Sequence, residues 1–144
     1  MSPVAKVVIG IVISVVLVVI LCVALAAWWF VSHKDQLSKQ LIEGPMQDGK
    51  TFGKTTDNNG CVTEALARNK KNTSVTGTFS NDVFLESCLE NSKSSPNFCG
   101  GVPKPTSFID STKWLSQQCQ QRAPGDTHCP QLFQQVQRFC YSEH

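Results

Sequence analysis

From Val7 to Val31 the chain reads VVIGIVISVVLVVILCVALAAWWFV, 25 residues without a single charge. As a helix this run is about 37 Å long, enough to cross the ~30 Å hydrocarbon core of a bilayer. Val and Ile are poor helix formers in water. In lipid an unpaired peptide group is so costly that a helix is the conformation such a run must take. Trp28, Trp29 and Phe30 close the run, and Ser32, His33 and Lys34 follow. Indoles at this place match the aromatic belt of a membrane interface, so Trp28 and Trp29 are the expected interface residues.

A cleaved signal peptide has an apolar stretch of only ~7–15 residues. Here the run passes through Ala24-Leu25-Ala26, the one cleavage-like site, and continues to Trp-Trp-Phe. An uncleaved single-span anchor is therefore expected. Leu21 stands before Cys22, where a lipoprotein signal needs a small residue, so Cys22 reads as an ordinary apolar residue of the helix. Gly10 and Ser14 form a small-xxx-small pair, a spacing that admits a homodimer through this helix.

Two rules disagree on orientation. Lys34 and Lys39 on the C-terminal side against Lys6 on the other favour a cytoplasmic C-terminus. Six cysteines in the remaining 113 residues favour an oxidising compartment for that part. The cysteine density decides. The N-terminus is expected in the cytoplasm and the C-terminal domain outside it, in a periplasm or the extracellular space. Residues 1–6 are then a cytoplasmic tail, 7–31 the transmembrane anchor, 32–59 a polar stalk and 60–144 a disulfide-rich helical domain.

The stalk assignment rests on breakers: Gly44-Pro45, Asp48-Gly49, Gly53 and Asn58-Asn59-Gly60. Only Gln36 to Ile42 reads as a helical extension of the anchor, about two turns long. Beyond it, apolar residues recur at helical spacing in four places, and no strand-like alternation competes. The first helix places Cys61, Val62, Ala65, Leu66 and Asn69 on one face, followed by a loop from Lys70 to Gly77. Ser80 is the expected cap of the second, with Phe79 and Phe84 as a hydrophobic staple, and Ser94-Ser95-Pro96 ends it. An extended connection, Phe98 to Pro105, leads to a third helix beginning near Ser107, with Trp114, Leu115 and Cys119 inward. The fourth starts near Pro130 and carries Leu132, Phe133, Val136, Phe139 and Cys140 as its apolar stripe. The fold class is all-α: one N-terminal transmembrane helix, then a small disulfide-stapled bundle of about four short helices.

Cys61, Cys88, Cys99, Cys119, Cys129 and Cys140 all fall on or beside helical apolar faces, as interhelix bridges require. Six cysteines allow 15 pairings. The arrangement favoured on proximity is Cys119–Cys129 across the last turn, Cys88–Cys99 folding the Gly-Pro connection back, and Cys61–Cys140 joining the ends. The apolar stripes are short, so the domain depends on these bridges.

The chemistry-bearing residues are sparse. No Cys-x-x-Cys is present, and Cys129 beside His128 is the sole candidate for an activated thiol. His33, His128 and His144 do not cluster in sequence, and bridged cysteines cannot ligate, so neither a metal nor a cofactor is expected. There is no G-x-S-x-G elbow; Asp126 and His128 read as a turn, and Glu86 and Glu90 as a solvent face. Lysine and arginine number 13 against 11 acidic residues, and Arg68, Lys70 and Lys71 make too small a basic cluster for nucleic acid. Asn72-Thr73-Ser74 is a glycosylation sequon in a polar loop.

Gln117, Gln118, Gln120, Gln121, Gln134, Gln135 and Gln137 form an uncharged hydrogen-bonding surface on the last two helices. Gln117, Gln121, Gln134 and Gln137 are the interface candidates. The expected function is therefore non-catalytic: a membrane-anchored domain that binds another envelope or membrane protein as accessory subunit, adaptor or inhibitor. A thiol-disulfide active envelope protein and a small helical binder of lipid or apolar ligands are the alternatives.

Overall fold

The structure is a computed structural model in which residues 3–142 are described, the side chains of residues 3–8, 33–35 and 37 excepted. Two compact units make up the chain, Met1–Ser38 and Lys39–His144. The first is one continuous helix, α1 (Pro3–Ser38). Its stretch Ile9–Ser32 is long and apolar enough to cross a membrane, and Trp28 and Trp29 project from it with exposed side chains.

The second unit is all-α. It opens with wide π-type turns over Lys39–Glu43 and continues with α2 (Gly44–Gly53), α3 (Asn58–Lys71), α4 (Val75–Asn91), α5 (Phe108–Arg122) and α6 (Cys129–Tyr141). No strand occurs among the described residues; one isolated parallel bridge joins Asp57 and Lys93. Five helices stand where the sequence pattern predicts four. The additional one is α2, in the segment read as stalk. Its glycines are not breakers but contact points: a Cβ on Gly49 would fall on the Phe84 carbonyl oxygen, and one on Gly53 would lie 2.6 Å from that of Cys88. Both glycines are buried, so α2 lays its backbone directly on α4. Ser87 Oγ donates to the Met46 carbonyl at 2.8 Å, and the Phe52 and Phe84 rings sit 5.9 Å apart, completing the contact.

α3 and α4 form an antiparallel hairpin. Asp57 caps α3, its carboxylate accepting from Gly60 N at 2.8 Å. α4 begins at Val75, capped by Ser74, whose hydroxyl accepts from Gly77 N. The Ser80 cap is thus displaced by six residues. Phe79 stays exposed while Phe84 is fully buried, so the expected staple does not form. The short connection is fixed by Asn72 Oδ1, which accepts from Ser74 N and Ser74 Oγ and hands the chain from one helix to the next. Asn81 Nδ2 donates to both Ala65 O and Asn69 Oδ1, locking the hairpin register.

The core lies between α3, α4 and α6, where Val62, Ala65, Phe84, Leu85, Leu89, Leu132, Phe133 and Val136 meet. The stripe of α6 is buried as its pattern demands, with Phe139 and Cys140 packed at its edge.

All six candidate cysteines are bridged: Cys61–Cys88, Cys99–Cys140 and Cys119–Cys129. The last pairing is the expected one. The other two replace Cys88–Cys99 and Cys61–Cys140, and the reason is topological. In the hairpin, Cys61 near the start of α3 faces Cys88 near the end of α4. The Gly-Pro connection runs along α6 instead of folding onto α4. Gln137 Nε2 donates to Pro103 O and the Tyr141 hydroxyl to Val102 O, both at 2.8 Å, and Phe98 meets Phe139 edge-on. Cys99 is thereby delivered to Cys140.

In the chain-entropy picture a bridge closing a longer loop contributes more. Cys61–Cys88 closes a separation of 27 residues and Cys119–Cys129 one of 10. Paired replacement Cys61→Ala/Cys88→Ala is expected to cost roughly 3 kcal/mol, and Cys119→Ala/Cys129→Ala about 1 kcal/mol less. Urea unfolding of the full chain in detergent, followed by circular dichroism, measures the order; equal or reversed losses refute it.

Candidate functional site: the outer face of α5

The sequence-predicted site residues are dispersed. Cys129 is 0% exposed and bonded to Cys119, so the thiol singled out beside His128 is a buried bridge sulfur. Among the described residues no three His, Cys, Asp or Glu side chains gather as metal ligands. The His33 side chain and His144 lie outside the described residues. Asp126 and His128 form the turn their spacing suggests, with Asp126 Oδ1 accepting from His128 N at 2.8 Å.

Of the glutamines, Gln117, Gln121 and Gln134 are exposed. Gln137 is not. It is 5% exposed, and its Nε2 donates to both Pro103 O and Ser111 Oγ at 2.8 Å. This residue is a clamp between α6, α5 and the connection before α5, and its place in the proposed interface is withdrawn. A polar side chain within a Gln-rich helix gives no sign of which way it points; only the packing of α5 against α6 turned this one inward.

α5 is held by one side. Trp114 meets the Phe133 ring edge-on, 5.7 Å between centroids; Cys119 is bridged to α6; Ser111 is its one buried residue. Ser107 stands at its cap position without a side-chain cap bond, and Ser111 Oγ reaches back to Lys104 O instead. At the other end Gly125 takes φ +83°, a left-handed conformation glycine alone adopts freely, and turns the chain into α6.

The other side of α5 faces outward; apart from Phe108 and Ile109 its exposed residues are polar or charged, from Asp110 and Thr112 to Gln121 and Arg122. Phe108 and Ile109 are 80% and 81% exposed. At spacings of four, seven and eleven from Phe108 come Thr112, Leu115 and Cys119, one ridge of the helix. That ridge borders a groove of about 450 Å³, whose floor and wall include Leu115, Cys119, Ala123, Pro124, Pro130 and Asp126. Two of its polar groups bond within the helix: Thr112 Oγ1 donates to Phe108 O, and Gln120 Nε2 to Ser116 Oγ. Gln117 and Gln121 do not line it. Trp114, Leu115 and Cys119 pack against the core, as their spacing predicts; the exposed Phe108-Ile109 pair is the feature that the inward stripe does not account for. The available signal was two large apolar residues adjoining the predicted start of a helix, outside its inward stripe.

A second feature concerns charge. Asp82 on α4 is half-buried, and one of its oxygens, Oδ1, is buried without a hydrogen-bond partner. Burial pushes its carboxyl above the usual carboxylate range; Arg138 and His128 oppose the shift, and Glu86 adds to it.

Comparison with protein-family models, with curated proteins and with solved structures gives no match.

Two outcomes follow from this geometry. Gln137→Ala leaves Pro103 O without this donor and removes the bond that Ser111 Oγ accepts, and is expected to cost about 1–3 kcal/mol, whereas Gln134→Ala, on the surface, stays within about 0.5 kcal/mol. Equal effects in thermal melts would refute the clamp. For Asp82, the raised folded-state pKa means the native state holds the proton more tightly than the unfolded chain. Its contribution favours folding at low pH and is lost as pH rises from the ordinary 3.8 through the folded value. Asp82→Asn is expected to raise the Tm at pH 7 and to flatten this part of the Tm–pH profile; an unchanged slope would contradict it.

Proposed function

We propose that this chain is a non-catalytic, single-pass membrane protein whose helical domain docks another membrane or envelope protein, as accessory subunit, adaptor or inhibitor. In this reading the N-terminus is cytoplasmic and the bridged domain lies in the periplasm or the extracellular space. A long apolar N-terminal helix and three disulfides support that placement.

The observation that carries the reading is the exposed Phe108-Ile109 pair at the start of α5, the helix whose later turns line the groove. Large apolar side chains presented together beside a concave apolar surface are the usual mark of an interaction site on a soluble domain. Aromatic anchors surrounded by small and polar residues are also what concentrates binding energy in interfaces. α5 is held in place by a disulfide, a buried glutamine and an aromatic contact, so its free face is rigid before any partner arrives, which reduces the ordering cost of association.

A photo-crosslinking amino acid at Ser116, within the groove, tests the reading in native membranes. The expected result is a discrete adduct with a different protein, lost in the Phe108→Ser/Ile109→Ser background and not formed from the same probe at Glu90 on α4. Absence of any adduct from Ser116 at native abundance overturns the docking reading.

A further inference from the structure

The three bridges differ in access. We propose that Cys99–Cys140 is a reversible thiol–disulfide exchange site that takes a protein dithiol, whose thiolate attacks Cys99 Sγ. This activity goes beyond docking and does not depend on it. Cys61 and Cys88 are both 0% exposed, and Cys129 is too, which leaves only the half-buried Cys119 on the third bridge. Cys99 is exposed and Cys140 half-buried. Exchange begins when a thiolate strikes one sulfur of a bridge, so access selects the bridge that opens, and exposed bridges are the labile class. A groove of about 620 Å³ has Cys99 in its lining, with Leu89, Asn97, Phe98, Gly100 and Phe139. It leaves room for the donor's backbone beside the sulfur.

In the first step the donor thiolate bonds to Cys99 Sγ, the Cys99–Cys140 bond breaks, and Cys140 leaves as a thiolate that takes a proton from water. The donor's second thiolate then attacks the donor's own sulfur and releases Cys99. The donor ends as a disulfide and the chain as a dithiol, richer by two electrons and two protons.

The surrounding fold keeps the two sulfurs together without the bond. Cys99 lies in consecutive tight turns, Gly100 N donating to Asn97 O and Val102 N to Cys99 O. This segment is pinned on both sides. Before it, Ser95 N donates to Asn58 Oδ1 at 2.8 Å. After it, Val102 O accepts from the Tyr141 hydroxyl and Pro103 O from Gln137 Nε2, and the Phe98 and Phe139 rings meet 6.2 Å apart. Both thiols therefore stay side by side after reduction, and re-closure is intramolecular. Cys99–Cys140 closes the longest separation of the three, 41 residues. That entropy belongs to the unfolded chain and does not resist opening inside the native domain.

The full chain in lipid nanodiscs provides the test, with Cys22→Ala so that every thiol counted comes from a bridge. The probe is a thioredoxin-type protein dithiol in limiting amount, and opened sulfurs are alkylated and mapped by mass spectrometry. Label is expected on Cys99 and Cys140 while the other four cysteines stay bridged, with the helical circular dichroism retained. Glutathione disulfide is then expected to restore Cys99–Cys140 alone. The same probe without its second cysteine is expected to be captured as a mixed disulfide on Cys99; capture on Cys140 overturns the proposal. So does earlier or simultaneous opening of Cys61–Cys88 or Cys119–Cys129, or no opening at all. Loss of the helical signal as Cys99–Cys140 opens, or scrambled pairs on re-oxidation, overturns its reversibility and the proposal with it. Cys99→Ser/Cys140→Ser, shown to be folded by thermal melts, is expected to release no thiol; release from it counts against the assignment. Phe108→Ser/Ile109→Ser is expected to exchange like the unaltered chain, so failure of docking and failure of exchange are read separately.

Discussion

The bridge between Cys61 and Cys88 is fully buried among Phe84, Leu85 and Leu89, so covalent link and apolar core are one object in this domain. The fully buried large side chains are few: Phe84, Leu85, Leu89, Leu132 and Val62, with three half-cystines beside them. A core of that size leaves little surplus over the entropy of ordering about a hundred residues. Restricting the unfolded chain offsets that deficit. α4 is the common support. It meets α3 through Cys88 and Asn81, α2 through the backbone at Phe84 and Cys88, and α6 through Leu85 and Leu89.

α5 is attached on different terms. It buries one residue of its own, Ser111, and is held by Cys119–Cys129, by the Gln137 clamp and by the Trp114–Phe133 contact. Trp114, Leu115 and Cys119 pack against the edge of the core, while Phe108 and Ile109 stay outside it among the polar residues of the exposed side.

Several elements were legible beforehand because their signals are local. The 25-residue uncharged run admits one conformation in an apolar medium. The stripe of α6 repeats at helical spacing, and the short turn between the last two cysteine-bearing elements favours the Cys119–Cys129 pairing on proximity. Other signals were ambiguous in one dimension. Gly49 and Gly53, four residues apart, serve equally as breakers or as a seat for a neighbouring backbone, and only the presence of α4 against them makes α2 a helix. Ser74 and Ser80 both precede plausible helices. The Asx turn at Asn72 and the register set by Asn81 favour the first.

By itself the sequence determined the helical class, the long apolar N-terminal helix and the placing of six cysteines on helical faces where they can bridge, because these follow from composition and periodicity along a single line. The bridge partners, the inward turn of Gln137 and the outward turn of Phe108 and Ile109 were decided by the tertiary structure. Each depends on which segment lies beside which. The path of the Gly-Pro connection along α6 brings Cys99 to Cys140 and Pro103 to Gln137. That path is a long-range packing outcome, with no counterpart in residue spacing.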